Sequence, residues 1–257
     1  PFTLNPGDAY DDAAAFYLYS GFPDQVRALA DQAAADAEDT ARLLIMAPAD
    51  GSHDELASAA KEQLDRRIGK EAKIVRFEAG NAAGVATPGD AEGIVFLGGS
   101  DELDALLTAS GSRDVAPRIY TLSSLLSRPP FDAPRAFDGR ILVALPTTSR
   151  DTPAAGRRRY GDLAGRYALP SGHIQAQVAA IAAARVFIEG LRRAGRDLSR
   201  SRLTEGIAAL YNFETGFTPP LIYGPNQRIG ALGAHILLVH LEQRKYAQSP
   251  NSWRLVR

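Results

Sequence analysis

Three short polar segments carry the residue types best suited to holding a small polar molecule. Each follows a run of apolar residues, and each offers serine hydroxyls or accessible backbone N–H groups. Groups of this kind can bind a carboxylate or another polar part of a ligand. The segments are Ser52-His53, Gly98-Gly99-Ser100 and Ser123-Ser124.

Two of these segments have a second interpretation that needs no ligand. Ser100 precedes Asp101 and Glu102, and this order is typical of a helix start at which the serine hydroxyl caps the first turn. His53 also lies at a predicted helix start, where it could be a plain surface residue. On the sequence alone, both interpretations stay open.

The sequence gives little support for a nucleotide site, a metal site or a catalytic site. Gly98-Gly99-Ser100 lacks the third glycine of the dinucleotide-binding fingerprint and the Gly-Lys-Ser/Thr of a P-loop. The sequence contains no G-x-S-x-G elbow, no H-E-x-x-H pair and no cysteine. We therefore expect no catalytic residue, no metal and no cofactor, and a protein that is not an enzyme. An α/β enzyme with an unrecognised cofactor loop is the remaining alternative of this class.

Charge and hydrophobicity narrow the function classes further. The 257 residues include 29 Lys+Arg and 30 Asp+Glu, for a net charge of -1. No basic excess exists to neutralise phosphates, so nucleic-acid binding is not expected, and Arg157-Arg158-Arg159 is interpreted as a solvated helix face. No uninterrupted apolar run approaches the ~18 residues of a membrane span. The residues that begin at Pro1 do not have the basic, then apolar, then small-residue pattern of a leader peptide.

Strand and helix patterns alternate over the first half of the chain. A helix begins near Pro23, a second spans 54–68, and a third runs from Ser100 to about Ala109, each with its apolar residues on one face. The strands between them are apolar without alternation, which is typical of strands buried on both faces. Their order predicts a mostly parallel sheet with helices on each side. The strands are predicted at 42–47, 72–77, 93–97, 118–122 and 140–145.

After Pro146 the pattern becomes helical. Helices are predicted at 153–168, 173–194 and 199–210, followed by a strand pair within 220–241 and a polar surface strap over 242–257. The second helix carries an apolar face that something must cover. That face consists of Ile174, Val178, Ile181, Ile188 and Leu191.

Three stretches of the second half give the chain a resemblance to a known family. They are Gly139-Arg-Ile-Leu-Val-Ala-Leu-Pro146, Val186-Phe-Ile-Glu-Gly-Leu-Arg-Arg-Ala-Gly-Arg-Asp-Leu-Ser199 and Thr215-Gly-Phe-Thr-Pro-Pro-Leu-Ile-Tyr-Gly-Pro-Asn226. In their order along the chain they resemble the second half of type 1 periplasmic solute-binding proteins, the branched-chain amino-acid-binding family of ABC importers. The resemblance covers nearly the whole chain.

The resemblance implies a fold and a division of the chain. The implied fold is periplasmic-binding-protein-like type 1, with the second lobe complete and the first lobe partial. In members of this family, strand–helix units that form the sheet of the first lobe come before the segment that matches Pro1, and the given sequence has no counterpart of them. Residues 1–23 would end lobe 1 and cross to lobe 2. Residues 24–148 would form the ligand-binding lobe 2, 149–212 the helices that pack on lobe 1, and 213–257 the return to lobe 2 with a C-terminal strap.

The resemblance also implies a ligand site and partners. A small-molecule solute would bind in the interlobe cleft, and an ABC transporter permease would receive it in the periplasm or outside the cell, with or without a membrane tether. The loop Thr121-Leu-Ser-Ser-Leu-Leu126 carries no acid to pair with an ammonium group, so a neutral, aromatic or anionic solute fits at least as well as a standard amino acid. The implied site residues are Tyr19, Ser52, His53, Gly98, Gly99, Ser100, Ser123 and Ser124.

Two further expectations concern macromolecular partners. The apolar face of the 173–194 helix predicts that the chain dimerises through the 153–210 helices, docks on a separate chain, or is a fragment of a longer polypeptide. The alternative function is a regulatory or scaffold domain on the same fold, with protein partners and a degenerate ligand cleft.

Overall fold

A computed structural model describes residues 15–38, 42–69, 71–82, 91–111, 116–249 and 251–256 of the chain. Of residues 1–23, which were predicted to end lobe 1 and cross to lobe 2, residues 1–14 lie outside the described residues.

The chain divides into two compact units. Unit 1 comprises 1–21 and 146–232, and unit 2 comprises 22–145 and 233–257. The last boundary therefore lies after Leu232, not at 213 as the sequence predicted. The reason is a strand pairing within unit 1: Ile229–Ala231 pairs in parallel with Tyr17–Tyr19 and so keeps the segment before Leu232 in that unit.

Unit 2 is built on one sheet whose central strands are parallel. In chain order its strands are β2 (Leu43–Pro48), β3 (Lys73–Phe77), β4 (Gly93–Phe96), β5 (Arg118–Leu122), β6 (Ile141–Leu145), β8 (Gly233–His240), β9 (Lys245–Ala247) and β10 (Trp253–Leu255). Across the sheet the order is β10-β8-β6-β5-β4-β2-β3, with β9 paired to β8. The strands β2 and β4 pair in parallel, which confirms the α/β sheet expected from the sequence.

Helices cover both faces of this sheet. They are α1 (Phe22–Asp36), α2 (Asp54–Ile68) and α3 (Ser100–Gly111). Leu29 of α1 and Leu64 of α2 pack with Ile45 and Tyr120 on one face. Leu103 of α3 packs with Phe96 on the other. The strands bury side chains on both faces, which explains their apolar composition without alternation.

The C-terminal tail adds strands to the sheet and is not a surface strap. β8 pairs antiparallel with β6, and β9 and β10 both pair antiparallel with β8. His235 on β8 is buried, accepts or donates a hydrogen bond at Ser252 Oγ (3.1 Å), and meets the Trp253 ring edge-on. Histidine at this position is therefore structural.

The described residues of unit 1 form three helices and a two-stranded parallel sheet. The strands are β1 (Tyr17–Tyr19) and β7 (Ile229–Ala231), and the helices are α4 (Ala154–Tyr167), α5 (Ile174–Ala194) and α6 (Arg200–Ala208). On α4, Arg157, Arg158 and Arg159 are exposed, as expected of a solvated face. Helix α5 meets the length and hydropathy criteria of a membrane span, but it also packs on α6 and β1 within the unit.

Within unit 1, α5 packs mostly through residues other than those of its predicted apolar face. Gly190 lies against Ile207, and Gly206 lies against the carbonyl of Gly190, so small residues let the two helix backbones approach closely. Ile174 and Ile188 of the predicted apolar face are 46% and 62% exposed. The buried residues of α5 are Val178, Ala179, Ala182, Val186, Gly190 and Ala194.

The stretch beginning at Thr215 forms a turn that holds the start of α4. Thr215 Oγ1 accepts hydrogen bonds from the backbone N–H groups of Phe217 and Thr218, both at 3.1 Å. Thr152 Oγ1, just before α4, donates to the Phe217 carbonyl at 2.9 Å. Gly156 then packs directly on the Gly216 backbone, since a Cβ there would stand 2.0 Å from the Gly216 carbonyl oxygen.

Candidate ligand-binding site

The three polar segments of unit 2 lie along one edge of its sheet. They belong to the loops 49–53 after β2, 97–100 after β4 and 123–128 after β5, which we call the strand-end rim. Because β2, β4 and β5 are neighbouring parallel strands, their carboxyl ends meet at the same edge. This edge is where open α/β sheets bind ligands.

A histidine joins the first loop to the second. His53 Nδ1 lies 2.6 Å from the Leu97 carbonyl oxygen. A carbonyl can only accept, so Nδ1 carries a proton and donates it to this oxygen. His53 is half-buried, and this contact fixes the ring against the second loop. His53 is therefore oriented by the fold and is more than a surface residue at the start of α2.

The first loop is also ordered by a carboxylate. Asp50 Oδ1 accepts a hydrogen bond from the Ser52 backbone N–H at 2.9 Å. The Ser52 hydroxyl, and next this backbone N–H, hold the pKa of the Asp50 carboxyl below its ordinary value. Ser52 is exposed, but its hydroxyl is already engaged by Asp50.

The second loop depends on a glycine packed against two stacked rings. Phe77 and Phe96 stack with their centroids 5.5 Å apart, and a Cβ on Gly98 would stand 2.6 Å from the Phe96 ring. Only glycine fits there. Gly99 has more room, because the nearest atom to an added Cβ would be Glu102 Oε2 at 2.9 Å, the end of a flexible side chain.

Ser100 ties the second loop to the third. Its hydroxyl accepts hydrogen bonds from the backbone N–H groups of Ser127 (3.0 Å) and Arg128 (3.3 Å), and it lies 3.4 Å from the Arg128 carbonyl that it donates to. The Ser127 hydroxyl lies 3.2 Å away. The residue is buried at 6% exposure. These contacts show a structural role for Ser100 that neither sequence interpretation included.

We expect Ser100→Ala to lower the free energy of unfolding by about 1 to 2 kcal/mol, because a buried hydroxyl that serves several partners is lost. Urea unfolding followed by circular dichroism measures this change. The matched control is Ser124→Ala, which removes an exposed hydroxyl and should change the free energy by less than about 0.5 kcal/mol. Equal effects of the two substitutions would contradict the assigned role of Ser100.

The third loop presents the two serines that remain accessible. Residues Ser123–Leu125 form a single 3-10 turn after β5, closed by the Leu126 N–H on the Ser123 carbonyl at 3.2 Å. Ser123 is half-buried and Ser124 is exposed. Neither hydroxyl forms a hydrogen bond with another described residue. They are therefore the groups of the rim that can turn to a ligand without breaking an existing contact.

Tyr19, the remaining predicted site residue, belongs to unit 1. It lies on β1 and is 5% exposed. Burial raises the pKa of its hydroxyl above the ordinary value, against a smaller opposite effect of a hydrogen bond with the Thr147 side chain. Thr147 in turn donates to Asp151 at 3.0 Å. Tyr19 is thus a buried, protonated member of a polar network in unit 1.

Charged groups near the rim were not anticipated from the sequence. Glu102 is half-buried beside Gly99 and forms no ion pair with any described residue. Arg128, at the end of the third loop, donates from Nη2 to Asp101 (2.8 Å) and Asp104 (2.6 Å). The sequence analysis assigned Glu102 only to the first turn of a helix. In the structure, that turn places its carboxylate beside Gly99. Within the described ranges, no three potential metal ligands cluster together.

Comparison with solved structures identifies the architecture. A branched-chain amino acid ABC transporter protein from Thermus thermophilus with bound valine matches 93% of this chain over 67% of its own, with a TM-score of 0.65 and 15% identity. A type 1 periplasmic binding protein from Bordetella pertussis matches 91% over 67%, with a TM-score of 0.60 and 13% identity. The chain has the type 1 periplasmic-binding-protein fold.

The same fold occurs in relatives with different ligands. A solute-binding protein from R. palustris in complex with benzoate matches 98% of this chain over 70% of its own, with a TM-score of 0.61 and 14% identity. The chain thus spans about two thirds of the length of these type 1 binding proteins. No protein-family model matches the sequence, and no curated protein matches it.

Proposed function

We propose that the chain is a non-enzymatic, extracytoplasmic solute-binding protein that holds a small polar molecule at the strand-end rim and delivers it to an ABC-type importer. One observation carries this proposal. Hydrogen bonds join the three loops of the rim, from His53 to Leu97 and from Ser100 to Ser127 and Arg128. A connected, preorganised edge of this kind lowers the entropy lost when a ligand binds.

The polar groups of the rim support a ligand that carries a carboxylate. The hydroxyls of Ser123 and Ser124 can donate to it. Glu102 supplies a carboxylate that forms no ion pair with any described residue, and a free carboxylate suits an ammonium group. The strand-end rim therefore has an acidic residue nearby, Glu102, although the 121–126 loop contains none.

The test is isothermal titration of the chain with a panel of small acids that includes L-valine and benzoate, followed by titration of Ser123→Phe. We expect one member of the panel to bind and Ser123→Phe to weaken its binding by about tenfold or more, since the ring occupies the space beside the rim. The matched control is Ser58→Phe on the exposed side of α2, which should bind as the unaltered chain does.

The variant Glu102→Gln then distinguishes a ligand that carries an ammonium group from a simple carboxylate. It should weaken the binding of an ammonium-bearing ligand by about tenfold or more, and it should leave the binding of a simple carboxylate unchanged or tighter. If no acid in the panel binds, or if Ser58→Phe weakens binding as much as Ser123→Phe does, the strand-end rim is not the ligand site.

The alternative is a regulatory or scaffold domain on the same fold with protein partners. It is favoured by the exposed apolar side chains of unit 1, since large exposed apolar patches mark interaction surfaces. A chain that binds no solute in the panel but binds a protein partner would fit this alternative and not the first proposal.

A further inference from the structure

The connection between β5 and β6 runs without an α-helix. Neighbouring parallel strands are usually joined by a helical crossover. Residues 123–140 instead form turns and two short 3-10 helices, at Ser123–Leu125 and Arg135–Phe137. A segment of this kind lacks the backbone hydrogen-bond ladder of an α-helix. Its position on unit 2 therefore depends on the contacts that it makes with neighbouring elements.

Arg128 holds the first part of this connection on α3 with both its backbone and its side chain. Its backbone N–H donates to the Ser100 hydroxyl at 3.3 Å. Its Nη2 donates to Asp101 Oδ1 at 2.8 Å and to Asp104 Oδ2 at 2.6 Å. Asp101 and Asp104 are three residues apart on α3, so they lie on the same side of the helix and one guanidinium reaches both. We call these three contacts the Arg128 clamp.

The clamp closes the loop that carries the accessible serines of the rim. Arg128 follows Ser124 by four residues, and the Leu126 N–H closes the turn between them on the Ser123 carbonyl at 3.2 Å. Leu125 and Leu126 pack against the apolar cores on opposite faces of the sheet, which fixes the apolar part of the loop. The clamp fixes its polar end, where the chain leaves the rim.

We propose that Arg128 is a positioning residue of the strand-end rim. It acts through Asp101 and Asp104 and holds the third loop in the form that presents Ser123 and Ser124. This inference rests on the proposed solute binding, because the two serines matter only if the rim holds a ligand. Arg128 itself does not touch the ligand in this role. Its effect on binding comes from the fraction of molecules whose loop is in the binding form, since the apparent affinity falls with that fraction.

The clamp is electrostatic and accessible to water, so salt should loosen it. The side chains of Arg128, Asp101 and Asp104 are 52%, 87% and 43% exposed. A single exposed ion pair stabilises little, but here one guanidinium joins two carboxylates and its own backbone is bonded to Ser100. Dissolved ions screen exposed charges of this kind. The loop should therefore open more often as the ionic strength rises, and a variant without the charge of Arg128 should not respond in this way.

The first experiment is amide hydrogen exchange of the full 257-residue chain without ligand, at low and high salt. The N–H groups of Leu126 and Ser127 report on the loop, because both are hydrogen-bonded when it is closed. We expect Arg128→Gln to speed their exchange by about threefold or more. Added salt should speed it in the unaltered chain and not in Arg128→Gln.

The matched control is Arg135→Gln, on the same connection. Arg135 Nη2 pairs with Glu242 Oε1 at 2.6 Å, and both side chains are exposed, but the pair is remote in sequence from the serines. Arg135→Gln should leave the exchange of Leu126 and Ser127 unchanged.

A coupling test shows whether Arg128 acts through the two carboxylates. The double variant Asp101→Asn, Asp104→Asn removes the other half of the clamp and should speed the exchange as Arg128→Gln does. Adding Arg128→Gln to it should have little further effect, because the interaction is already lost. Effects that simply add would overturn the proposal, since Arg128 would then act on another group.

The second experiment is titration calorimetry with the acid that binds the unaltered chain. Arg128→Gln should weaken its binding by about threefold or more, and Arg135→Gln should not. If no acid binds while Arg128→Gln still speeds the exchange, solute binding is contradicted and the restraint on the loop is supported. Unchanged exchange in Arg128→Gln, or equal effects of Arg128→Gln and Arg135→Gln on exchange or binding, would overturn the role of Arg128.

Discussion

Gly156→Ala is expected to lower the free energy of unfolding of unit 1 by about 3 kcal/mol or more, because the added Cβ overlaps backbone and not a flexible side chain. The new atom would stand 2.0 Å from the carbonyl oxygen of Gly216 and 3.1 Å from Cγ2 of Thr152. Either α4 must move away from the Thr215 turn or the turn must rearrange. Both changes disrupt the hydrogen bond from Thr152 to Phe217.

The same helix provides the control. Gly161 is exposed on α4, and nothing lies within 4 Å of the position of its Cβ. Gly161→Ala should therefore stabilise the chain by up to about 1 kcal/mol, since alanine has the higher helix propensity. Chemical unfolding monitored by circular dichroism compares the two. Changes of the same sign at both glycines would contradict the packing of α4 on the Gly216 backbone.

Gly98→Ala should destabilise unit 2 by about 2 to 3 kcal/mol and also abolish solute binding at the strand-end rim. The added methyl group would collide with the rings of Phe96 and Phe77, at 2.6 Å and 2.9 Å. Both rings are fully buried, so neither can move without opening the core, and overpacking of such a site costs about this much. The loop that carries Gly99 and Ser100 must then shift away from the sheet.

Gly99→Ala is the control for this substitution. Its Cβ would meet only the carboxylate of Glu102, which can rotate away, so the free energy of unfolding should change by less than about 0.5 kcal/mol. Thermal unfolding gives the stability of both variants, and titration calorimetry with the ligand found for the unaltered chain gives their binding. If Gly98→Ala is as stable as Gly99→Ala, the stacked phenylalanines do not determine the path of the loop.

The two units differ in where their apolar residues lie. In unit 2 the apolar residues are buried on both faces of the sheet, and the accessible groups at its edge are polar. In unit 1 small residues are buried between α5 and α6, and larger apolar residues remain outside.

The sequence by itself determined the elements of unit 2 and the loops that form its edge. The predicted helix at 54–68 coincides with α2, and the apolar runs at 42–47 and 93–97 correspond to neighbouring parallel strands. Hydrophobic periodicity and runs of buried residues are local signals, and the alternation of strands with helices leaves few topologies. The positions of Ser52, Gly98 and Ser123 at one edge follow from that topology.

Only the tertiary structure decided how distant segments pair and which faces pack. The pairing of β7 with β1 joins residues more than two hundred positions apart, and no local pattern marks it. The face of α5 was predicted from its largest apolar residues, yet the helix packs through Gly190 and alanines, because close approach of two backbones requires small side chains. The hydrogen bonds of Ser100 likewise depend on where loops from separate strands meet in space.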